Sequence, residues 1–592
     1  MLSDLPHEYA PEPAPRDHPR RRFHRGKHSP RGVVWFGLRS FWGHLRHFVA
    51  AAIATEDVDS RDWMTPDTPA ELGARIARRL GAEDWRGDLV SSLGRDVWID
   101  FIADTGDDVS VSSAIAQMLF RSYSLPDPDS PGARLQAPRG DILLFGGDTA
   151  YPVATVEEIN NRVVVPFNRA LERLGDGRDR VLLGIPGNHD WYDGLDGFAR
   201  MFRRRAESEG EERQRPSVVS IDPLQIERYA DWAKEFVRGG QRHKQKRLDL
   251  DGYFPVQSAS YFTLQLAPRL ALLAGDRQLK QVDFRQRRFF SEWLGGHPEV
   301  VPIVALPDPY RRFREVSVTG AATVEAMGLD LHTKPHLVLS GDVHHYERWN
   351  EGETTHVIAG GGGAFLHPAP LARKGLEPAA VEWPGPRQCL SLLWSVPWKV
   401  AQGRSGFIPH LVYASLYAPV FWDDDGELGL HQKLGAMGVF VLVFLVYALI
   451  GGIRRRRHVA VSVAAAVAAL LTTLSPIGAL ELSHFFARHW GLPLDPWWFH
   501  ALAFGLALVL GAYVFGFYLA FLTRIGLETT QAFTALDHPG YKHFVRMRVR
   551  AHENRVDVWC IGLEDALAPA ERPVLVDAFS FCPKGPPPSP AE

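Results

Sequence analysis

Four short turns rich in carboxylates and histidine lie between residues 96 and 370, and each follows an apolar stretch. The turns read DTGD at 104 to 107, GGD at 146 to 148, GNHD at 187 to 190 and GDVHH at 341 to 345. Carboxylate, amide and imidazole groups are ligands that Mn²⁺, iron and Zn²⁺ accept, and one carboxylate can bridge two ions. One such turn alone more often only caps a helix. Four in one order indicate a metal site.

The apolar runs before these turns predict the strands that must position them. VWIDFIA ends at Ala103 and ILLF ends at Phe145, while RVLLG and PHLVL precede the third and fourth turns. Strand ends on one edge of an α/β sheet converge on a single crevice, where ligands bind in such folds. We therefore expect the four turns to line one cavity of an α/β domain.

The order of these turns resembles the calcineurin-like metallophosphoesterase superfamily, whose signature runs D-x-H, G-D, G-N-H-[DE], a lone His and G-H-x-H. DTG, GDTAY and VHHYER are similar to the purple-acid-phosphatase-like variants, in which a Tyr after the second motif replaces the first motif's His. The resemblance covers residues 96 to 370. It implies a two-sheet α/β metallophosphoesterase sandwich flanked by helices, with two divalent metal ions drawn from Mn, Fe, Zn or Mg.

The resemblance implies a role for each matching position. Asp104 and His344 would bind the first metal ion, Asp148 would bridge both ions, and Asn188 would bind the second. His189 would be the catalytic residue, placed over the phosphate as a proton donor or as a stabiliser of the developing charge. A hydroxide bridging the two ions would attack phosphorus.

Further residues near these turns are expected to play supporting roles. Tyr151 is either a metal ligand or a packed aromatic residue. Asp107 and Asp190 are expected to orient ligands through hydrogen bonds. Arg348 and His345 are candidates for phosphate binding, although Arg348 could equally pair with a neighbouring glutamate.

Two positions depart from the family pattern. Asp342 stands where the second metal's histidine is expected, so we assign it to the metal ligands. The stretch VPIVALPDPY at 301 to 310 contains no histidine, which leaves Asp308 or water as the substitute. A second site richer in oxygen is expected to bind its ion more weakly and to favour Mg²⁺ or Mn²⁺ over Zn²⁺. A one-metal or degenerate site is the alternative.

Apolar segments in the C-terminal third predict membrane spans. Residues 434 to 453, 459 to 480 and 499 to 522 each approach the roughly 20 apolar residues that a bilayer crossing needs, and 407 to 422 is a shorter fourth candidate. The basic RRRRH at 454 to 458 predicts a cytoplasmic turn. We predict four crossings, which place the catalytic domain of this integral membrane protein on the cytoplasmic face; three crossings, the alternative, would leave it outside.

Composition and patterning divide the chain of 592 residues into five segments. Its net charge of −3 argues against a nucleic-acid partner, and its three scattered cysteines fit no thiolate zinc site. The predicted segments are a disordered basic arm (1 to 30), an amphipathic helix on a membrane surface or on the protein's own core (31 to 60), a phosphoesterase domain (61 to 400), a transmembrane helical domain (401 to 525) and a small β-rich C-terminal tail (526 to 592).

Taken together, these features predict a membrane-anchored, metal-dependent hydrolase of phosphate monoesters, diesters or pyrophosphates. Membrane attachment favours a phosphorylated small-molecule or lipid-linked substrate, with membrane lipid as a further partner. The alternative is a metal-binding sensor or regulatory module with a degenerate site, coupled to the membrane domain. Transport is a third hypothesis, which the scarcity of charged residues in the spans disfavours.

Overall fold

The structure is a computed structural model. It describes residues 33–37, 64–174, 177–204, 248–279, 282–371, 379–421, 430–450, 458–493, 497–536, 538–568 and 572–583. The predicted arm at 1 to 30 lies outside the described residues, and only 33–37 of the predicted helix at 31 to 60 lie within them.

Strands and helices alternate through the first part of the described chain, and long helices dominate after residue 407. The strands, numbered along the chain, are β1 (Val97–Ile102), β2 (Tyr123–Pro126), β3 (Arg134–Ala137), β4 (Ile142–Phe145), β5 (Arg180–Gly184), β6 (Tyr253–Pro255), β7 (Phe262–Ala267), β8 (Leu270–Ala274), β9 (Val301–Leu306), β10 (Arg311–Arg312), β11 (Glu315–Val316), β12 (Leu337–Ser340), β13 (Tyr346–Glu351), β14 (Thr354–Ala359), β15 (Val381–Trp383), β16 (Lys542–Val549), β17 (Val556–Leu563) and β18 (Val574–Phe581).

The helices follow the same numbering, and a π-helical turn (Asn160–Val164) joins the fourth to the fifth. They are α1 (Pro69–Arg79), α2 (Leu89–Leu93), α3 (Val109–Leu119), α4 (Val156–Ile159), α5 (Val165–Glu172), α6 (Asn188–Trp191), α7 (Asp196–Phe202), α8 (Phe284–Gly296), α9 (Val318–Ala326), α10 (Pro386–Leu393), α11 (Val396–Ala401), α12 (Ile408–Phe421), α13 (Leu430–Ile450), α14 (His458–His489), α15 (Trp497–Arg524) and α16 (Gln531–Leu536).

Two seven-stranded sheets form the α/β part of the molecule. The first has the order β18-β17-β16-β1-β4-β5-β6, and the second has the order β15-β13-β14-β12-β9-β8-β7. Strands β1, β4, β5 and β6 run parallel, as do β8, β9, β12 and β14. The predicted mixed α/β architecture is confirmed at this level, and each sheet gathers several strand carboxyl ends at one edge.

The parallel strands are apolar because helices or the other sheet cover them on both faces. Every residue of β1, β4, β9 and β12 is buried. Buried side chains of both sheets, among them Phe101 of β1 and Leu339 of β12, belong to one hydrophobic cluster. Each fully buried side chain of this size contributes roughly 1.5 to 3 kcal/mol, so this shared core holds the site-bearing strand ends in place.

The three strands of the C-terminal segment complete the first sheet. Strand β16 pairs antiparallel with β1, placing Val549 opposite Val97 and Val545 opposite Phe101. We expected residues 526 to 592 to form a small tail of their own, but their strands extend the sheet that carries the first predicted metal ligand. Backbone pairing between segments far apart in the sequence is decided by tertiary contacts, which strand periodicity does not reveal.

Among the residues that the structure describes, two helices are long and apolar enough to cross a membrane, namely the segments Val459–His489 within α14 and Trp497–Arg524. The most apolar window of each is only 39% buried within the protein, and Leu470 and Leu502 expose large apolar side chains. In α13 the apolar stretch Gly435–Ile450 is shorter, and α12 has 14 residues. The predicted helical membrane region is therefore supported for two helices by length and composition.

Candidate active site

Predicted ligands stand at the carboxyl ends of strands from both sheets. Asp104 follows β1, Asp148 follows β4 and Asp342 follows β12, and their φ angles are 61°, 51° and 64°. A left-handed backbone costs an ordinary residue roughly 1 to 2 kcal/mol. Such strain persists where the surrounding structure fixes it, and it concentrates at functional sites. The three turns thus hold their carboxylates in positions that an unstrained chain would not adopt.

Three predicted metal ligands lie within hydrogen-bond distance of the Tyr151 hydroxyl. It donates to Asp104 Oδ1 at 2.9 Å and lies 3.2 Å from both Asp148 Oδ2 and His344 Nε2. His344 Nε2 is also 3.3 Å from Asp104 Oδ1. All four side chains are almost fully buried. The structure therefore brings the first, second and fourth turns together around one point.

Glycines leave room for these carboxylates. A Cβ atom on Gly187 would stand 2.1 Å from Asp148 Oδ1, and one on Gly360 would stand 2.6 Å from Asp104 Oδ2. Both distances are far inside van der Waals contact, so any other residue would displace an aspartate. The glycine of GNHD and the first of the GGGG run after β14 are required by the packing of the cluster.

Burial is the main cause of the pKa shifts in the cluster, because it disfavours the charged forms of these side chains. It raises the pKa of Asp104 well above its usual range, with a further increase from the Asp148 charge, and it raises the pKa of Asp148 itself. Burial also raises the pKa of the Tyr151 phenol and lowers the pKa of His344 to about 3. Neutral imidazole and ionised carboxylates are the forms that bind metals, so a cation here would compensate the buried charge.

His189 lies beside this cluster and is held by two contacts. Its backbone N–H donates to Asp148 Oδ1 at 2.8 Å, and its ring Nδ1 is 2.7 Å from the carbonyl oxygen of Pro152. If Nδ1 carries the proton and donates to that carbonyl, Nε2 is left to face a ligand. The ring centroid is 4.4 Å from that of Tyr151 and 5.2 Å from that of Tyr192.

Asp190 ties the second and third turns together. Its Oδ2 accepts from the backbone N–H of Gly187 at 2.9 Å, and both carboxylate oxygens lie 3.3 Å from the N–H of Thr149. Burial raises its pKa to about 8. These contacts are those of a residue that shapes a turn, the role expected for it.

Asp107 serves as an anchor for two segments. Its carboxylate accepts from the N–H of Phe365 at 3.1 Å, from the N–H of Val33 at 3.1 Å and from the indole N–H of Trp35 at 3.3 Å. Trp35 then lies with its ring centroid 4.9 Å from that of Phe365. An N-terminal segment therefore covers one side of the site.

The remaining predicted ligands contact arginines. Arg277 donates to Asn188 Oδ1 at 3.3 Å, and its Nε is 3.3 Å from Asp308 Oδ2. Arg312 Nε is 3.3 Å from Asp342 Oδ2. Burial raises the pKa of Asp342, and Arg312 opposes that increase. The cluster thus has a first half around Tyr151 and a second half occupied by guanidinium groups.

Arg348 and His345, predicted to bind phosphate, are engaged elsewhere. Arg348 forms an ion pair with Asp577 of β18 at 2.6 Å, and Tyr346 donates to the same carboxylate at 2.8 Å. His345 is fully buried, with Nε2 3.0 Å from Glu347 Oε2. Arg348 is held by a carboxylate 229 positions away along the chain and His345 by one two positions away, so the described contacts of both side chains lie outside the cluster around Tyr151.

The composition and spacing of the side chains around Tyr151 bear on whether they can hold a metal ion. Within the described ranges, His, Cys, Asp and Glu side chains alone form no group of three or more that could hold a metal ion. The Tyr151 oxygen completes the set: it lies 2.9 to 3.2 Å from the atoms of Asp104, Asp148 and His344, and Asp104 and His344 are 3.3 Å apart. Adjacent ligands of an octahedral ion at about 2.1 Å stand about 3 Å apart, so these four residues fit one ion when the phenol oxygen is counted.

Sequence reasoning missed Arg277, Arg312 and Trp35. Arg277 stands in GDR at 275 to 277, directly after the apolar strand β8. This is the same pattern of strand, glycine and aspartate that marked the other turns, so it was a usable signal. Arg312 and Trp35 lie in stretches without that pattern, and only their contacts place them at the site.

Comparison with known proteins gives distant structural likenesses. No family model matches the chain, and no curated protein matches it. The structure is similar to that of GAP50, the anchor in the inner membrane complex of Plasmodium, with 10% identity and a TM-score of 0.29 over 49% of this chain and 78% of that one. It is also similar to the structure of PhoD, with 11% identity and a TM-score of 0.25 over 46% of this chain and 58% of that one. At that distance neither likeness indicates a function for this chain.

Proposed function

We propose that this protein is a membrane-anchored, metal-dependent phosphoesterase. The observation that carries the proposal is the convergence of Asp104, Asp148 and His344 on the Tyr151 hydroxyl at the carboxyl ends of strands from two sheets. A set of buried carboxylates, neutral imidazole and phenol suits a divalent or trivalent ion of the first transition row. The same proposal identifies the two sheets as those of a metallophosphoesterase sandwich.

A bound ion would supply Lewis acidity toward a phosphoryl oxygen and a water of lowered pKa. The protein's own residues would do the rest. Asp148 orients the turn that carries His189 by accepting its backbone N–H at 2.8 Å. His189, fixed through Nδ1 on Pro152, presents Nε2 to the oxygen of the departing group and can donate a proton there. Tyr192 and Tyr151 hold the imidazole between aromatic rings.

The site loop also packs on the helical region. His344 Nδ1 is 2.7 Å from the carbonyl oxygen of Phe365, at the edge of the site. The next residue, Leu366, is fully buried in a hydrophobic cluster with Ala512 and Leu519 of α15. Adjacent residues of one loop thus contact the site and a candidate membrane helix. This arrangement favours a substrate at or near the membrane surface, such as a lipid-linked phosphate.

The N-terminal segment makes a second link of this kind. The ring centroid of Trp35 is 6.4 Å from that of His189, and the ring centroid of Phe36 is 6.5 Å from that of Phe515 in α15. An apolar aromatic wall beside a catalytic histidine suits the organic part of a phosphate ester better than it suits a free phosphate ion.

The test uses the full-length chain in detergent, because β16 to β18 complete the first sheet. With Mn²⁺ present, we expect hydrolysis of p-nitrophenyl phosphate or its bis-ester, and a higher kcat/KM for a short-chain lipid phosphate. Asp148→Asn and His189→Ala should each lower kcat by about 10² to 10⁴. Asp196→Asn and His332→Ala, at exposed positions, are the matched controls.

Two results would count against the proposal. Hydrolysis that survives both Asp148→Asn and His189→Ala would exclude the assigned site. Tight metal binding with no hydrolysis of any tested ester would instead favour the sensor or regulatory module that the sequence left open.

A further inference from the structure

The second half of the site holds two guanidinium groups where the family resemblance implies a second metal ion. Its implied ligands other than the bridging aspartate are Asn188, Asp308 and Asp342. Arg277 contacts the first two at 3.3 Å each, and Arg312 contacts the third at 3.3 Å. Each of these side chains therefore already faces a positive charge.

The contact of Arg277 with Asp308 is protected from water, whereas the Arg312 side chain is 41% exposed. The side chains of Arg277 and Asp308 are 12% and 7% exposed, so their ion pair is not a screened surface pair. Asp308 also accepts a hydrogen bond from Thr319. A divalent ion entering beside Arg277 would meet a like charge at close range, and the removal of a buried guanidinium from its carboxylate is costly.

The charges balance with one divalent ion. Two guanidinium groups neutralise two of the four carboxylates in the predicted ligand set, and one divalent ion neutralises the other two. A second divalent ion would leave the same cavity with two excess positive charges. The four carboxylates are those of Asp104, Asp148, Asp308 and Asp342.

We infer that the site binds one metal ion, in the half formed by Asp104, Asp148, Tyr151 and His344, and that Arg277 and Arg312 replace the second ion. This inference rests on the proposed function and departs from the two ions that the resemblance implies. Arg277 Nε is buried and lies 3.3 Å from Asp308 Oδ2, outside hydrogen-bond geometry. The positive charge of the Arg277 guanidinium would attract an oxygen of the phosphate group, as a second ion would otherwise do.

Metal stoichiometry of the full-length chain in detergent tests the inference without any activity measurement. The protein is stripped with a chelator, reloaded with Mn²⁺ and examined by elemental analysis and electron paramagnetic resonance. We expect one manganese per chain with the spectrum of an isolated ion. Two manganese ions with an exchange-coupled spectrum would overturn the inference and leave the proposed function standing. No bound manganese would overturn both.

A double variant then tests the part played by the arginines. Arg277→Met combined with Arg312→Met frees the three second-half ligands, and we expect the manganese content to rise from one to two per chain. A content that stays at one would show that the guanidinium groups do not exclude a second ion. Arg311→Met is the matched control, since Arg311 pairs with Glu351 and should leave the content at one. The wild-type result is decisive even if the double variant does not fold.

Discussion

Three aspartates of the site are held in positions that lower the stability of the fold. Asp104, Asp148 and Asp342 adopt left-handed backbone angles, and burial raises the pKa of each carboxyl group. Replacement of such a residue by asparagine, which tolerates the same backbone angle, should relieve charge repulsion in the metal-free protein. The residues that matter for chemistry are thus expected to destabilise the fold that presents them.

A histidine that is buried in its neutral form makes the free energy of unfolding depend on pH. Burial lowers the pKa of His356 to about 4, and its ring stacks on Trp349 with centroids 4.8 Å apart. The unfolded chain binds a proton below about pH 6.5 but the folded one does not. Neutral His356 therefore makes its full contribution to the free energy of unfolding above pH 6.5. This contribution falls as the pH falls toward 4, and roughly 2 kcal/mol of it is lost by pH 5.

The prediction for His356 compares two pH values. His356→Gln should lower the free energy of unfolding more at pH 7.5 than at pH 5, and the two effects should differ by roughly 2 kcal/mol. Thermal or denaturant unfolding in detergent measures the difference. His332→Gln, at an exposed position, is the control. An equal effect of His356→Gln at both pH values would contradict the lowered pKa of His356.

At the scale of elements, the C-terminal strands depend on a buried ion pair with β1. Arg546 of β16 donates to both carboxylate oxygens of Asp100, at 2.6 and 2.9 Å, and both side chains are almost fully buried. Its other N–H groups donate to the carbonyl oxygens of Leu119 and Arg121, at the C-terminal end of α3 and just beyond it. One side chain thus joins the last part of the chain to its first strand.

Arg546→Met should lower the free energy of unfolding by roughly 3 to 5 kcal/mol, because it leaves Asp100 buried without a partner. Adding Asp100→Leu should recover part of that loss. On the same strand, Arg548 pairs with Asp96 in a more exposed setting, so Arg548→Met should cost less than about 1 kcal/mol. Chemical unfolding in detergent measures the free energy of unfolding of all three variants. Similar losses for Arg546→Met and Arg548→Met would show that the buried ion pair is no more important than the exposed one.

For the whole molecule, pairing of β16 with β1 constrains how the chain meets a membrane. The segments before α12 and after α16 share one sheet, so they lie on the same side of any bilayer. We therefore predict an even number of crossings between them, four rather than three. Under the positive-inside rule, the basic sequence RRRRH at 454 to 458 predicts that this side is the cytoplasmic one.

Cysteine accessibility tests this arrangement. Cys582 is exposed and would be replaced by serine. With an impermeant maleimide on intact cells, we expect no labelling at Ser130→Cys or Glu553→Cys and strong labelling at Leu492→Cys, between α14 and α15. Lysed cells should label at all three positions. Different results for Ser130→Cys and Glu553→Cys in intact cells would contradict the shared sheet.

The sequence by itself determined the site-bearing turns, the strands before them and the apolar helices after residue 407. These features are local, because ligand types, glycines and apolar runs of strand or helix length stand together in the chain. Tertiary structure alone decided the places of Arg277 and Arg312 and the pairing of β16 with β1. It also turned Arg348 toward Asp577 and brought Trp35 to the site. Ion pairs and sheet neighbours form between residues tens to hundreds of positions apart, and no local pattern specifies which partners meet.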